Sequence, residues 1–337
     1  VRVAASAFDF KFFEPVDAAL RDAGGVLRYD RWFGLAEHDP ARSRSLARWA
    51  DVLFAEWCLD NAVVAARERR DRQRLVVRFH RFEFDRDAPA RLDADRVDLI
   101  AFAGPHFRDA AVERFGWPDE RCLWVPNPVD VEAFTTGKTA AAGRTLGLLG
   151  WERQLKRLDR ALDLLEALLE VDPGWRLRCK GQHPAAVDWV WHDTPQRRWF
   201  EAQLDRIASS DRLARAVRFD GFGPVADWLR DVGWILSPSD VESFHLAAAE
   251  GMASAAVPVI WERPGAQQVF PARWVHHDTE AAAAAVWRAA DEDTRASQAR
   301  EARAFVAERY DRPRLARVWQ ELVLGAAPAH PARTSEG

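Results

Sequence analysis

Glu242 and Glu250 stand eight positions apart inside SDVESFHLAAAEGMASAAVPVIW (239–261), a stretch otherwise built largely of small and apolar residues. Carboxylates in such surroundings accept hydrogen bonds from ligand hydroxyls or stabilise developing positive charge. The run before them, WILSPS (234–239), reads as a buried strand. Residues Ser243 to Ser254 read as an alanine-rich helix with Asp240 and Glu242 at its mouth. On one helix, eight residues put Glu250 roughly 12 Å along the axis from Glu242 and about 80° around it. Both carboxylates would then face one cleft, over a span that matches a diphosphate plus a sugar. The free N–H groups and partial positive charge of a helix N-terminus suit phosphate. The blander reading is a cap at Glu242 and a partly buried acid at Glu250.

Bulk properties narrow the classes. The 337 residues favour two domains of ordinary size. Hydrophobic residues make up 48%, enough for a real core, and a net charge of −4 gives no sign of nucleic-acid binding. Four lysines occur, at 11, 138, 156 and 180, and arginine supplies the other cations; with abundant alanine this fits a GC-rich bacterium. Cys58, Cys122 and Cys179 are too scattered for a metal site or a disulfide framework, which favours a cytoplasmic setting. No apolar run approaches the ~20 residues of an integral membrane segment. No leader precedes VRVAASAF, which itself reads as a strand, so residues missing upstream of Val1 are an open alternative. The basic run ARERRDRQR (66–74) reads as a solvated helix end; peripheral contact with an anionic membrane or a phosphate-bearing acceptor stays open beside that reading.

Short apolar runs must position these residues. Strands are expected at 1–6, 25–32, 51–57, 74–80, 97–104 and 122–127, and again at 145–151, 175–181, 217–222, 234–239, 256–261 and 274–278. Amphipathic stretches separate them, the pattern of parallel sheets covered by helices on both faces. The fold class is therefore α/β, as two doubly wound Rossmann-like domains facing across a cleft. The first spans 1–134, a linker 135–144, and the second 145–310; helices are expected near 279–290, 293–310 and 312–324, the last packing back on the first domain. The tail 326–337 reads as disordered.

Four segments of the second half carry a family resemblance. LLGWERQLKRLDRALDLLEAL (148–168), LRCKGQ (177–182), VRFDGFGPVADWLRDVGWILSPS (217–239) and SDVESFHLAAAEGMASAAVPV (239–259) resemble, in order, the donor domain of retaining glycosyltransferases of the GT-B fold, family 4, of the bacterial polysaccharide type. RFGWPDERCLWVPNPVDVEAF (114–134) resembles the segment leading into that domain. The resemblance implies a nucleoside-diphosphate sugar as donor, a saccharide or small-molecule acceptor, retention of configuration, and no metal or other cofactor.

It also implies roles. Lys156 falls on the family's phosphate-binding lysine. The family's arginine after the glycine is replaced by Trp151, and Arg153 is the favoured substitute. Backbone N–H groups of Ser243, Phe244, His245 and Leu246 are expected on the phosphate and sugar, although the family more often has glycine where His245 stands. Glu242 is expected at the sugar hydroxyls or the anomeric carbon, and Glu250 on the ribose. Lys180, Gly181, Gly221 and Phe222 are expected around the nucleoside. In the first half His80, at a strand end, is a candidate for donor or acceptor contact. Asp9, Lys11, Glu56 and Trp57 are acceptor-side candidates, and FDFKFFEP (8–15) lacks the glycine-rich loop of many relatives. A non-catalytic sugar-nucleotide-binding protein and a sugar-nucleotide epimerase are the alternatives. A dinucleotide oxidoreductase is disfavoured because no G-x-G-x-x-G follows the first strand of either half.

Overall fold

The structure, a computed structural model, describes residues 1–325; the expected disordered tail, 326–337, lies outside the described residues. All twelve expected strands form, as two six-stranded sheets whose neighbours all pair in parallel. The first contains β1 (Arg2–Ala7), β2 (Val26–Arg31), β3 (Val52–Glu56), β4 (Arg74–Phe79), β5 (Leu99–Phe102) and β6 (Cys122–Trp124), in the order β2-β1-β3-β4-β5-β6. The second contains β7 (Thr145–Leu149), β8 (Arg176–Lys180), β9 (Val217–Phe219), β10 (Trp234–Ser237), β11 (Val257–Trp261) and β12 (Val275–His276), in the order β12-β11-β10-β7-β8-β9. Central strands are buried along their whole length, as in β3 and β11, because helices cover both faces.

By contacts the described residues form one unit from Val1–Pro128 together with 312–325, and a second from Val129–Asp311. Residues 129–144 thus group with the second unit. There Lys138 Nζ donates to Leu229 O (2.8 Å) and Ser254 Oγ (2.9 Å). The helix Arg312–Leu324 belongs to the first unit: Arg312 pairs with Glu14 at 2.6 Å, and Trp319 packs on Phe54. In the second unit, leucines of the helix Leu158–Leu169 recur at helical spacing and fill a core with Trp151, Trp175, Trp234 and Phe200.

One element differs from expectation. The helix read from Ser243 begins only at Leu246 and runs to Ala253. His245 adopts φ 67°, ψ 70°, a left-handed conformation that cannot continue an α-helix. Just before it, Phe244 turns into the core against Tyr310 (ring centroids 4.7 Å) and Phe270 (6.3 Å), which draws the chain inward before the helix can start. Glu242 therefore lies in the approach to the helix, and the same-helix spacing to Glu250 does not apply.

Each sheet has a place where strand order reverses, between β1 and β3 in the first and between β7 and β10 in the second. Loops leaving the carboxyl ends of strands diverge there, which opens a crevice for ligands.

Candidate active site

At the β7/β10 reversal two sequence-selected residues meet. Lys156 ends the 3₁₀ turn Gln154–Lys156 after β7, and Glu242 follows β10. Lys156 Nζ lies 2.6 Å from Glu242 Oε1, with both side chains largely shielded from solvent. His245 Nε2 lies 3.5 Å from the same oxygen, and His245 Nδ1 is 2.5 Å from Ser237 Oγ. Burial pushes Glu242 up, but the facing groups His245, Lys156 and Arg263 more than offset this and hold it well below the usual carboxylate range. Burial pulls His245 itself down to about 3 despite Glu242, so at neutral pH the imidazole is uncharged. The ammonium of Lys156 is then the charge in direct contact with Glu242. Asp240 is held separately, by Arg157 (2.8 Å) and Arg160 (3.0 Å).

Among the described residues, no carbonyl or side chain accepts from the N–H groups of Ser243, Phe244, His245, Leu246 or Ala247. Free backbone N–H groups and an ammonium are groups that bind anions. Glu250 sits one turn into the helix, and its carboxylate has no hydrogen-bond partner among the described residues; burial pushes it up to about 7. The next residue explains how it is held. A Cβ on Gly251 would lie 2.5 Å from Ile235 of β10, so only glycine lets this helix press so closely on the strand.

The loops after β7, β8 and β9 converge at the carboxyl ends of their strands. Gly181 N donates to Gly221 O (3.1 Å), and Gly150 N donates to Lys180 O (2.8 Å). At Gly181, φ is 145° and a Cβ would approach Glu152 Oε2 to 3.2 Å. Lys180 Nζ reaches towards Gly223, and Phe222 is 81% exposed. Trp151 borders this cluster, its Cδ1 lying 3.4 Å from where a Cβ on Gly181 would be, but it turns its ring inward. It is 1% exposed, packed on Phe219 at 4.5 Å between ring centroids, and belongs to the core. Arg153 lies over the ring of Trp189, 5.1 Å from its centroid.

The β1/β3 reversal in the first unit gathers the other candidates. Glu56 closes β3 with no exposed surface, and its Oε1 lies 2.7 Å from His80 Nε2 at the end of β4. Burial pulls His80 below its ordinary value, outweighing Glu56, so the neutral ring donates to the carboxylate. Trp57, at φ 72°, packs against His80 (4.3 Å) and donates Nε1–H to Asp9 O at 2.7 Å. Lys11 Nζ lies over the Phe12 and Trp57 rings and 3.3 Å from Asp9. All five candidates of this half are thus neighbours.

Sequence reasoning missed several groups here. Arg78 is buried between Glu56 (3.5 Å), Phe12 O (2.6 Å) and Asn127 Oδ1 (2.7 Å). Glu83 Oε1 accepts from the N–H groups of Cys58 (2.9 Å) and His80 (3.0 Å), and burial pushes its carboxyl up to about 8. Near Glu242 the buried Arg263 was also overlooked. The basic run 66–74 is largely spent internally: Arg69 pairs with Asp98, Arg70 bonds Arg48 O, and Arg74 bonds Gly325 O. A small, mostly apolar cavity whose wall includes Asp30, Ser43 and Asn61 contains none of the selected residues. Among the described residues, no three His, Cys, Asp or Glu side chains gather as metal ligands, and no helix is long and apolar enough to cross a membrane.

In three dimensions the chain is similar to Anabaena HepE (Alr3699) crystallised with UDP, with a TM-score of 0.71 at 13% identity over 95% of this chain and 98% of that one. It is similar also to sucrose-phosphate synthase from Thermosynechococcus elongatus, with a TM-score of 0.69 at 16% identity over 95% and 98% of the two chains. The fold is GT-B. Two curated glycosyltransferases match part of this GT-B chain in sequence. A D-inositol 3-phosphate glycosyltransferase from Geodermatophilus obscurus is 30% identical over 175 residues, 48% of this chain and 36% of that protein. One of the same name from Actinosynnema mirum is 33% identical over 145 residues, 40% of this chain and 33% of that protein. The chain spans about a third of the length of these curated relatives. No family model matches it. The motif resemblance to GT-B glycosyltransferases of family 4 agrees with these likenesses.

Proposed function

We propose that this chain moves a sugar from a nucleoside-diphosphate sugar to a saccharide or small-molecule acceptor, with retention and without a metal. The observation that carries the reading is the Lys156–Glu242 pair at a strand-order reversal, beside five unsatisfied backbone N–H groups. Bond cleavage leaves negative charge on the departing diphosphate, and preorganised amides with an ammonium stabilise that charge as it develops. Glu242 faces the sugar and stabilises positive charge at the anomeric carbon. Glu250 takes the ribose hydroxyls. The Glu56–His80–Trp57 corner of the first unit takes the acceptor. HepE has been solved with UDP and with UDP-glucose, which makes uridine nucleotides the first probes. D-inositol 3-phosphate, named for the curated relatives, belongs in the acceptor panel. Three buried free cysteines fit a reducing cytoplasm.

The experiment uses Glu250. Hydroxyls donating to its carboxylate favour the ionised form, so binding lowers a pKa that burial holds at about 7. Nucleotide affinity therefore rises as pH rises through 7, and binding near that pH releases a proton. Calorimetry in buffers of different ionisation enthalpy reads that proton. Glu250→Gln is expected to abolish the release and weaken nucleotide binding by about 1–3 kcal/mol. Unchanged affinity in the variant would remove Glu250 from the nucleotide site.

A further inference from the structure

Arg263 lies two residues beyond β11, next to β10 in the sheet, and is only 8% exposed. One nitrogen, Nη1, donates to Ser237 O (3.1 Å) and Trp261 O (3.2 Å), the carbonyls at the ends of those two strands. Ser237 in turn contacts His245 through its hydroxyl, and His245 borders Glu242. Arg263 is thus linked through Ser237 and His245, in three contacts, to the carboxylate that Lys156 grips.

Its own charge has no such partner. Among the described residues no carboxylate forms an ion pair with Arg263, and its Nε and Nη2 hydrogens have no acceptor. A buried guanidinium bonded only to carbonyl oxygens is costly to keep. Glu242 is already engaged by Lys156. With His245 neutral, two cations face one carboxylate, and the site carries an uncompensated positive charge beside the free amides of residues 243–247. Aspartates 159 and 240 bind Arg157 and Arg160, and give Arg263 no relief.

We infer that Arg263 is the second cation of the diphosphate site and contacts the phosphate nearest the sugar. Trp151 occupies the position expected to carry a cation and lies in the core, while Arg153 is engaged over Trp189. Arg263 follows a different strand, β11, and faces Glu242 electrostatically. Its planar fork bonds carbonyls with one nitrogen and keeps the others for phosphate oxygens, a geometry that lysine cannot reproduce. The phosphate nearest the sugar is assigned because Arg263 lies on the Ser237–His245–Glu242 side. This inference rests on the donor-site reading above.

The test compares UDP with UMP, and GDP with GMP, by calorimetry on wild type, Arg263→Met and Arg263→Lys. In Arg263→Met the diphosphate is expected to lose tenfold or more in affinity while the monophosphate stays within threefold. Arg263→Lys keeps the charge but not the fork, and a smaller loss, again confined to the diphosphate, is expected. Should Arg263→Met fail to fold, for want of its two strand-end bonds, the ratio in Arg263→Lys decides. A diphosphate-to-monophosphate ratio unchanged from wild type overturns the role of Arg263 and leaves the donor site standing. Wild type that binds no diphosphate overturns the donor site, and this inference with it.

Discussion

Glu242→Gln lowers sugar transfer by about 10²–10³-fold, the scale seen when one preorganised charge-stabilising group is removed, and leaves free nucleoside diphosphate bound as tightly as before or more tightly. The two halves of that result come from one geometry. Glu242 touches Lys156 at 2.6 Å and sits beside the buried Arg263, so its negative charge offsets the cations that should grip a diphosphate. Glutamine keeps the shape and removes the charge. The leaving diphosphate then meets a more positive site, while positive charge at the anomeric carbon loses its counter-charge. Turnover at saturating donor and calorimetric affinity for the diphosphate are the paired measurements. Equal loss of both would assign Glu242 a structural role.

Trp151→Ala costs about 3–5 kcal/mol of stability, the range for removing a buried aromatic, and lowers the Tm of its own unit, Val129–Asp311, by about 10 °C. The indole is 1% exposed and sits between Phe219, Phe200 and His183. Trp151→Arg, which restores the cation that the family resemblance led us to expect there, buries a charge among Phe219, Phe200 and His183 and leaves little folded protein. Thermal unfolding of the two variants checks this. A folded Trp151→Arg that binds diphosphate more tightly than wild type would show that position 151 reaches the site after all.

The strands were legible because parallel sheets covered on both faces produce continuous apolar runs, as in VLFAE of β3 and VPVIW of β11. Glu56 and His80 stand where two of those runs end, so the alternation placed them, whereas Lys156, in the 3₁₀ turn after β7, was named through the family resemblance. Their pairings could not be read this way. Glu56 meets Arg78 only because β3 and β4 pair in that register, and Lys156 meets Glu242 across 86 positions of chain. The start of the helix at Leu246 was illegible for a similar reason. An alanine-rich run favours helix locally, but Phe244 is drawn into the core by Tyr310, far along the chain, and His245 turns left-handed to allow it. Arg263 gave no signal because its partners are carbonyls, which any sequence supplies.

The central claim is that the Lys156–Glu242 site transfers sugar from a nucleotide donor. Proton NMR of the protein incubated with UDP-glucose, UDP-N-acetylglucosamine or GDP-mannose, with and without the acceptor panel, tests it most directly. Loss of one donor's anomeric signal, appearance of free nucleoside diphosphate, and a new signal with the donor's anomeric configuration are expected, all absent in Glu242→Gln. Donors that stay intact, or that change only into another sugar nucleotide without release of diphosphate, would contradict it.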